Sequence, residues 1–312
     1  MNGVSGVEER GARPVRRTLA LTVVAVAMGS TVAIGVVRRG SDERARCGPG
    51  FVARAARCAL APGRPCPPPL AESASGCDAP DVRILVPETT VALGPSDWEA
   101  EGRVAPRTVH AGPFRIDAFE VTRGRWAREA DEANHAGALP VETPDDVARA
   151  ATGVTRDEAA AFCARRAPGG RLPSEDEWIV AAVAGGPAPP RYPWGDTGAV
   201  CRRAAWGLLG GPCAAAGDGP DTVGSHRDGD SALGIHDLAG NAAEWVSPAA
   251  GGATADDPGR PAGPGAVGGI GGIAKGGSWQ TALATELRVW ARLELDPDAR
   301  DPRVGFRCVY PT

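Results

Sequence analysis

Eight cysteines constrain the fold of this 312-residue chain more than any other feature of its sequence. The first is Cys47, and all eight follow an uncharged apolar run near the N-terminus. An even number of cysteines is typical of disulfide-bonded proteins, and disulfides persist in oxidising compartments outside the cytoplasm. The sequence therefore predicts that the residues after the run lie outside the cytoplasm.

The apolar run is TLALTVVAVAMGSTVAIGVV, residues 18–37, and it is flanked by Arg17 and Arg38. At helical rise, a run of this length matches a hydrocarbon core of roughly 30 Å. It is longer than the apolar core of a signal peptide and lacks a clear small-residue cleavage site. It therefore predicts a cytoplasmic tail at 1–17 and a single-pass signal anchor at 18–37. The anchor would hold the protein in a bacterial inner membrane, with the rest of the chain in the periplasm. The alternative is that the run is cleaved and the protein is secreted.

The composition favours a globular protein and argues against a nucleic-acid partner. The apolar fraction of 43% can supply a hydrophobic core for a chain of this length. The net charge is -4 at pH 7, and the sequence has no basic block that could follow a phosphate backbone. Glycine (43) and proline (29) are abundant while aromatic residues make up 5%, which is typical of long loops and of a GC-rich bacterial genome.

The segment from 38 to 80 is rich in cysteine and proline and has neither a helical nor a strand period. It predicts a short disulfide-bonded spacer between the anchor and a folded domain. Three pairings are open to its four cysteines, Cys47, Cys58, Cys66 and Cys77. Zinc is the alternative, but no C-x-x-C pair or neighbouring histidine gives the spacing of metal ligands.

A globular domain is predicted over residues 81–312. The stretches RILVPETTVAL, residues 83–93, and GPFRIDAFEVT, residues 112–122, each indicate a strand. Thr122 then suits the N-cap of a helix that contains Trp126.

Two more helices are predicted by capping boxes. In each box a hydroxyl and a glutamate three residues later satisfy backbone amides at the start of the helix. The first box is Thr155 with Glu158, and the second is Ser174 with Glu177. Beyond Gly185 the chain is mostly glycine, proline, aspartate and alanine, which predicts long loops held by specific contacts.

Six short motifs carry a resemblance when they are taken in order. They are FRIDAFEVT, GRLPSEDEW, RYPWGD, GIHDLAGNAAEW, KGGSW and VGFRCV. Together, over roughly residues 83 to 310, they resemble the formylglycine-generating enzyme family, also called the sulfatase-modifying factor domain. The resemblance implies an α+β fold related to C-type lectins, with low regular secondary structure. It also implies that Arg171 pairs with a carboxylate and that Trp178 lies in the core.

The enzymes of this family use two cysteines after a GGS motif to bind copper(I) and oxidise a substrate cysteine to formylglycine. Here the corresponding segment, residues 276–292, reads GGSWQTALATELRVWAR and contains no cysteine. The first thiol of the family falls on Thr281, and the second falls near residues 284–286. Copper(I) is a soft ion that selects thiolates. We therefore expect no copper and no catalytic residues of this kind, while another chemistry stays open.

The resemblance also implies a disulfide. Cys163 and Cys308 match positions that form a structural disulfide in secreted members of the family. Cys201 and Cys213 bracket a short loop that closes easily as a second disulfide. With the other four cysteines paired in the spacer, no free thiol is expected.

The segment GIHDLAGNAAEW, residues 234–245, carries two acids beside a glycine turn. The resemblance implies a structural calcium site made by the carboxylates of Asp237 and Glu244 and the carbonyls of Gly240 and Ala242. Calcium prefers hard oxygen ligands of this kind. The alternative is a turn without a cation, in which the two acids accept hydrogen bonds from backbone amides.

The sequence thus predicts a noncatalytic, envelope-anchored recognition domain, a pseudoenzyme that binds a peptide, protein or glycan. Its ligand groove would lie near Ser278, Trp279, Trp290 and Arg292, where the resemblance places the substrate cleft of the family. The alternative is a periplasmic maturation enzyme that acts on a secreted or sulfatase-like client without copper. The four histidines show no metal-ligand spacing and are expected to be structural.

Overall fold

The structure is a computed structural model. It describes residues 47–54, 57–133, 141–184, 189–213, 219–247 and 271–312. The predicted tail at 1–17 and signal anchor at 18–37 lie outside the described residues. Within those residues, no helix has the length and apolarity needed to cross a membrane.

Short strands and short helices alternate with long loops. The strands are β1 (Phe51–Arg54), β2 (Arg57–Leu60), β3 (Ala71–Ser73), β4 (Gly76–Asp78), β5 (Arg83–Val86), β6 (Thr89–Leu93), β7 (Arg107–Ala111), β8 (Phe114–Asp117), β9 (Ala243–Val246), β10 (Gly272–Lys275), β11 (Leu293–Leu295), β12 (Val304–Gly305) and β13 (Val309–Tyr310). The α-helices are α1 (Arg123–Ala133), α2 (Arg156–Arg166) and α3 (Glu175–Val183). Single 3-10 turns occupy Pro144–Asp146, Arg227–Gly229 and Ala284–Leu287.

The strands form small sheets rather than one large one. One sheet has the order β11-β10-β9-β12, and another has the order β13-β8-β5. The remaining strands form three hairpins, β1-β2, β3-β4 and β6-β7. All pairs are antiparallel except β9 and β12, which run parallel.

The predicted helix starts are confirmed. Both capping boxes are complete, with Thr155 and Ser174 as N-caps whose hydroxyls accept from the amides of Glu158 and Glu177. Thr122 precedes α1, and its hydroxyl accepts a hydrogen bond from the amide of Arg125 at 3.1 Å. These starts were predictable because the interactions that make them lie within one turn of the chain.

The predicted strand at 83–93 is two strands. Pro87 separates β5 from β6. Because a proline has no amide proton and restricts the backbone of the residue before it, it interrupts the hydrogen bonds between strands. The two strands then join different partners, since β5 pairs with β8 and β6 pairs with β7. The predicted strand at 112–122 is shorter than expected and covers only Phe114–Asp117.

The core lies around α3 and around a cluster of aromatic rings. The residues of α3 from Trp178 to Val183 are all buried, and the helix packs against β7. Phe162 on α2 stacks on Trp126 and meets the edge of Phe306, with ring centres 5.3 Å apart in both cases. Arg171 donates to both carboxylate oxygens of Glu177 at 2.6 Å. The structural roles predicted for Arg171 and Trp178 are therefore confirmed.

The described part of the predicted spacer at 38–80 is folded. From Cys47 onward the chain forms the hairpins β1-β2 and β3-β4. Phe51 and Leu70 are buried with Phe119 and other residues of the later domain. Strands of three or four residues are too short to show a clear alternation, and they are stabilised here by packing on the domain. The folded domain therefore includes most of the segment expected to be a spacer.

All eight cysteines form disulfides, and no free thiol remains. The predicted Cys163–Cys308 and Cys201–Cys213 bonds are confirmed. Of the three pairings open to the first four cysteines, the structure has Cys47–Cys58 and Cys66–Cys77.

Candidate functional site

The segment from 276 to 292, where the sequence resemblance places the copper-binding segment, follows β10. Gly276 and Gly277 have φ angles of 89° and 69°, which favour glycine. A Cβ on Gly277 would lie 2.8 Å from the side chain of Leu287, so the turn also needs glycine for space. The amide of Trp279 donates to the carbonyl of Asn241 at 2.9 Å. The segment is therefore held against the loop that contains Asp237 and Glu244.

Ser278 and Thr281 form a closed turn. The amide of Ser278 donates to the Thr281 hydroxyl at 2.9 Å, and the amide of Thr281 donates to the Ser278 carbonyl at 2.9 Å. The Ser278 hydroxyl accepts from the amide of Gln280 at 3.3 Å. Thr281 is the residue on which the sequence resemblance places the first thiol, and its oxygen shapes the turn. Neither hydroxyl is a ligand that copper(I) selects.

Trp279 is a core side chain. It is buried in a cluster with Tyr192, Trp206 and Leu208. Its carbonyl accepts from the amide of Leu208 at 2.9 Å, and its indole donates to the carbonyl of Pro302 at 3.4 Å. Ser278 and Trp279 were both predicted as groove residues, and the structure buries both.

Arg292, the last residue of this segment, belongs to a charged cluster. Its guanidinium donates to both oxygens of Glu175 at 2.6 Å, and the Lys275 ammonium lies 3.2 Å from the same carboxylate. Burial alone would raise the pKa of Glu175, but the charges of Lys275 and Arg292 outweigh it and lower the pKa to about 2. Burial lowers the pKa of Lys275 to about 8, although the negative charge of Glu175 acts to raise it. The cluster anchors α3 to β10 and the start of β11.

Trp290 lies near two guanidiniums, with Arg103 at 5.6 Å and Arg288 at 5.9 Å from its ring centre. Arg288 forms ion pairs with Glu99 and, at 2.9 Å, with Asp97. These contacts hold the loop around residues 97–99 beside the 276–292 segment. Sequence reasoning selected Trp290 but missed this loop, whose residues match none of the motifs of the family.

Three exposed apolar side chains lie within the segment or next to residues that contact it. Trp98 is 78% exposed, Leu209 is 59% exposed and Leu283 is 58% exposed. Leu283 belongs to the segment, while Trp98 stands between Asp97 and Glu99, and Leu209 follows the residue that pairs with Trp279. We call Trp98, Leu209, Leu283 and Trp290 the aromatic-leucine surface.

Glu244 is held by an arginine. Arg307 donates to its two carboxylate oxygens at 2.6 and 2.8 Å, and the Trp178 indole donates at 2.8 Å. Arg307 also donates to the carbonyl of His236 at 2.7 Å. Both Arg307 and Glu244 are buried, so each compensates the charge of the other.

Asp237 and Asn241 shape the rest of this loop, with φ angles of 57° and 55°. The carboxylate of Asp237 accepts from the amide of Gly224 at 2.6 Å. Glu120 accepts from the amide of Ala242 at 2.9 Å and from the side chain of Asn241 at 2.6 Å. These contacts resemble the predicted alternative, in which acids accept from backbone amides, but Glu244 differs because its partner is a guanidinium.

Of the predicted calcium ligands Asp237, Gly240, Ala242 and Glu244, the two acids already accept hydrogen bonds within the protein. A calcium ion bound through Glu244 would have to share that carboxylate with Arg307. Among the described residues, neither acid belongs to a cluster of three or more metal-ligating groups. Calcium binding stays a prediction, and the arginine contact weighs against it.

Comparison with known proteins places these features in a family. Residues 71–311 match the family described as "Sulfatase-modifying factor enzyme 1-like domain". No match was found among curated proteins. Three of the solved structures that are similar in fold illustrate the match. Treponema denticola variable protein 1 has a TM-score of 0.51 and 21% identity, with 74% of this chain and 95% of that chain covered.

The second structure is that of CarF, with a TM-score of 0.53, 19% identity, and 75% and 99% of the two chains covered. The third is PvdO from Pseudomonas aeruginosa, with a TM-score of 0.55, 18% identity, and 77% and 97% covered. Identities this low show a shared fold only. The family match rests on the sequence itself, since the matched residues 71–311 include all six motifs from FRIDAFEVT to VGFRCV. This chain belongs to the sulfatase-modifying factor family, and its mixed helix and strand architecture is the formylglycine-generating enzyme-like fold.

Proposed function

We propose that this protein is a noncatalytic recognition domain of the formylglycine-generating enzyme family. It is held at the bacterial envelope by residues 18–37 and binds a peptide, protein or glycan. One observation carries the proposal: all eight cysteines are in disulfides, so no thiol can bind copper(I). The fold is retained while the copper ligands are missing, and a fold can host a new function on an old site.

The geometry of the 276–292 segment supports loss of catalysis rather than replacement of one nucleophile by another. A hydroxyl nucleophile needs a base within hydrogen-bond reach. The Ser278 and Thr281 oxygens instead accept hydrogen bonds from backbone amides of their own turn. The described histidines have other partners. His110 contacts Thr90, His226 contacts Asp221, and His236 contacts Asp230.

The aromatic-leucine surface supports binding. Trp98 and Leu283 are exposed, one next to a residue that pairs with the segment and one within it, and tryptophan is enriched where partners bind. The buried Arg288 pairs with Asp97 and Glu99 and lies beside Trp290, so it holds the loop that carries Trp98 in place. The proposed ligand therefore contacts Trp98 and Leu283. The buried Ser278 and Trp279 do not touch the ligand but hold the segment in place.

We expect no formylglycine when the full chain is incubated with a peptide carrying C-x-P-x-R, with or without copper. The physical reason is the missing thiol pair. Mass spectrometry of the peptide measures the product, and an active family enzyme serves as the positive control. Aldehyde above the control without enzyme would support the alternative, a periplasmic maturation enzyme with unconventional chemistry.

We expect a photo-crosslinking amino acid at position 283 to capture a ligand in the native host. Leu283 is 58% exposed on the proposed surface, and the matched control is Leu85, which is 49% exposed on β5. Denaturing gels and mass spectrometry identify the adducts. Specific adducts at 283 but not at 85 support the surface, whereas equal labelling or no adduct at either position contradicts it.

A further inference from the structure

The disulfide Cys47–Cys58 lies against a buried histidine-aspartate pair. The amide of Cys58 donates to Oδ1 of Asp221 at 3.2 Å, and Nε2 of His226 lies 2.8 Å from Oδ2 of the same carboxylate. The Cys58 sulfur, one nitrogen of His226 and one oxygen of Asp221 all lie within 4.8 Å of one another. Because this sulfur is bonded to Cys47, the three groups are not a metal site in this state.

The environment of His226 favours its charged form. Burial alone lowers the pKa of His226, but the hydrogen bond and charge of Asp221 outweigh it and raise the pKa. The charge of Asp237 and the backbone of Arg202 act in the same direction. An imidazolium close to a cysteine lowers the pKa of the thiol and stabilises its thiolate.

The two sulfurs differ in access. Cys58 is buried, while Cys47 is half-buried at the start of the folded domain. The next residue, Gly48, donates its amide to the carbonyl of Ser225 at 3.2 Å. This contact places Cys47 beside the loop that carries His226. An external thiolate can therefore approach Cys47 more readily than Cys58.

We propose that the Cys47–Cys58 disulfide is a thiol–disulfide exchange site that reacts with an external thiolate. The incoming sulfur forms a bond to Cys47, the Cys47–Cys58 bond breaks, and its electron pair leaves on Cys58. The new thiolate is stabilised by the protonated ring of His226. With a dithiol reductant, the second thiolate attacks the mixed disulfide, and Cys47 leaves as a thiolate that takes a proton from water.

A second disulfide provides a matched comparison. Cys66–Cys77 closes a loop with the same sequence separation, 11 residues, in the neighbouring hairpin, and both of its cysteines are half-buried. Neither belongs to the cluster of His226 and Asp221. Exchange is faster when the departing thiol has a lower pKa, so we expect roughly tenfold faster exchange at Cys47–Cys58 than at Cys66–Cys77.

The experiment uses the full chain, purified in detergent with its disulfides intact. It is treated briefly with dithiothreitol, a dithiol, or with reduced glutathione, a monothiol. Free thiols are then alkylated, and the cysteine peptides are quantified by mass spectrometry. We expect the Cys47–Cys58 bond to open about tenfold faster than Cys66–Cys77 with the dithiol. With the monothiol, we expect the glutathione adduct on Cys47 and the alkyl group on Cys58.

Two substitutions and a pH series test the role of the ring. His226→Gln and Asp221→Asn should both reduce the rate ratio of the two disulfides toward one. In the wild type, the ratio should fall between about pH 6 and pH 9, because the ring loses its proton as pH rises. Use of the ratio cancels the ionisation of the attacking thiol. The pH series uses the wild type, so it tests the role of the ring even if a variant fails to fold and its ratio falls to one for that reason.

Three outcomes would overturn the proposal. The first is a wild-type ratio near one, and the second is a glutathione adduct that forms on Cys58. The third is faster exchange in Asp221→Asn, because it would mean that the aspartate charge repels the departing thiolate more than it supports the imidazolium.

Discussion

Arg307→Met should lower the free energy of unfolding by about 3–5 kcal/mol, the usual cost of removing one partner of a buried ion pair. The side chain of Arg307 is fully buried and donates to both oxygens of Glu244. It also donates to the carbonyls of Asp117, Ala118 and His236. Without it, these acceptors and the carboxylate would stay buried with no donor of matching geometry. Urea denaturation at neutral pH measures the loss.

The matched control is Arg303→Met, four residues earlier. Arg303 also donates to both oxygens of an aspartate, Asp301, but its side chain is 37% exposed. A partly exposed pair is expected to contribute about 1 kcal/mol or less. Equal losses in the two variants would show that Arg307 does not compensate a buried charge.

The deficit of Arg307→Met should also depend on pH. Burial and the charges of Asp237 and Glu244 raise the pKa of Glu120, and Arg307 acts in the opposite direction. A carboxyl whose folded pKa is raised is more stable when protonated, so it contributes stability at low pH that is lost as pH rises. Removing the arginine strengthens this effect. The difference from the wild type should therefore shrink as pH is lowered.

Cys163→Ala with Cys308→Ala should lower the free energy of unfolding by about 5 kcal/mol on the loop-entropy account. The bond closes a loop with a sequence separation of 145 residues and joins α2 to the last part of the chain. The comparison is Cys201→Ala with Cys213→Ala, whose separation is 12 and whose expected loss is about 3 kcal/mol. Non-reducing urea titrations of both variants measure the order, and a larger loss for the short loop would contradict it.

The parts of the fold that were predictable from the sequence depend on local interactions or on a family pattern. Capping boxes located the starts of α2 and α3, because a hydroxyl and a glutamate three residues apart act on the same helix turn. The motif GRLPSEDEW indicated the Arg171–Glu177 ion pair and the buried Trp178. The Cys163–Cys308 bond followed from the resemblance to secreted members of the family.

The parts that were not predictable depend on residues far apart in the chain. Glu244 and Arg307 are separated by 63 residues, and nothing local shows that this acid faces a guanidinium rather than a cation from solution. Cys58 and Asp221 are 163 residues apart, so no histidine or acid near the cysteines in sequence could indicate their cluster. Trp98 lies in a loop without a motif, and its position depends on Arg288. Burial of Ser278 and Trp279 likewise follows from the packing of distant loops.

The folding of residues 47–80 determines where a fragment of this protein can begin. The hairpins β1-β2 and β3-β4 and two disulfides lie in this segment, and Phe51 and Leu70 are buried with Phe119. A fragment that starts at residue 81 would lose both disulfides and would uncover Phe119. Expression of the folded domain therefore requires the residues from 47 onward.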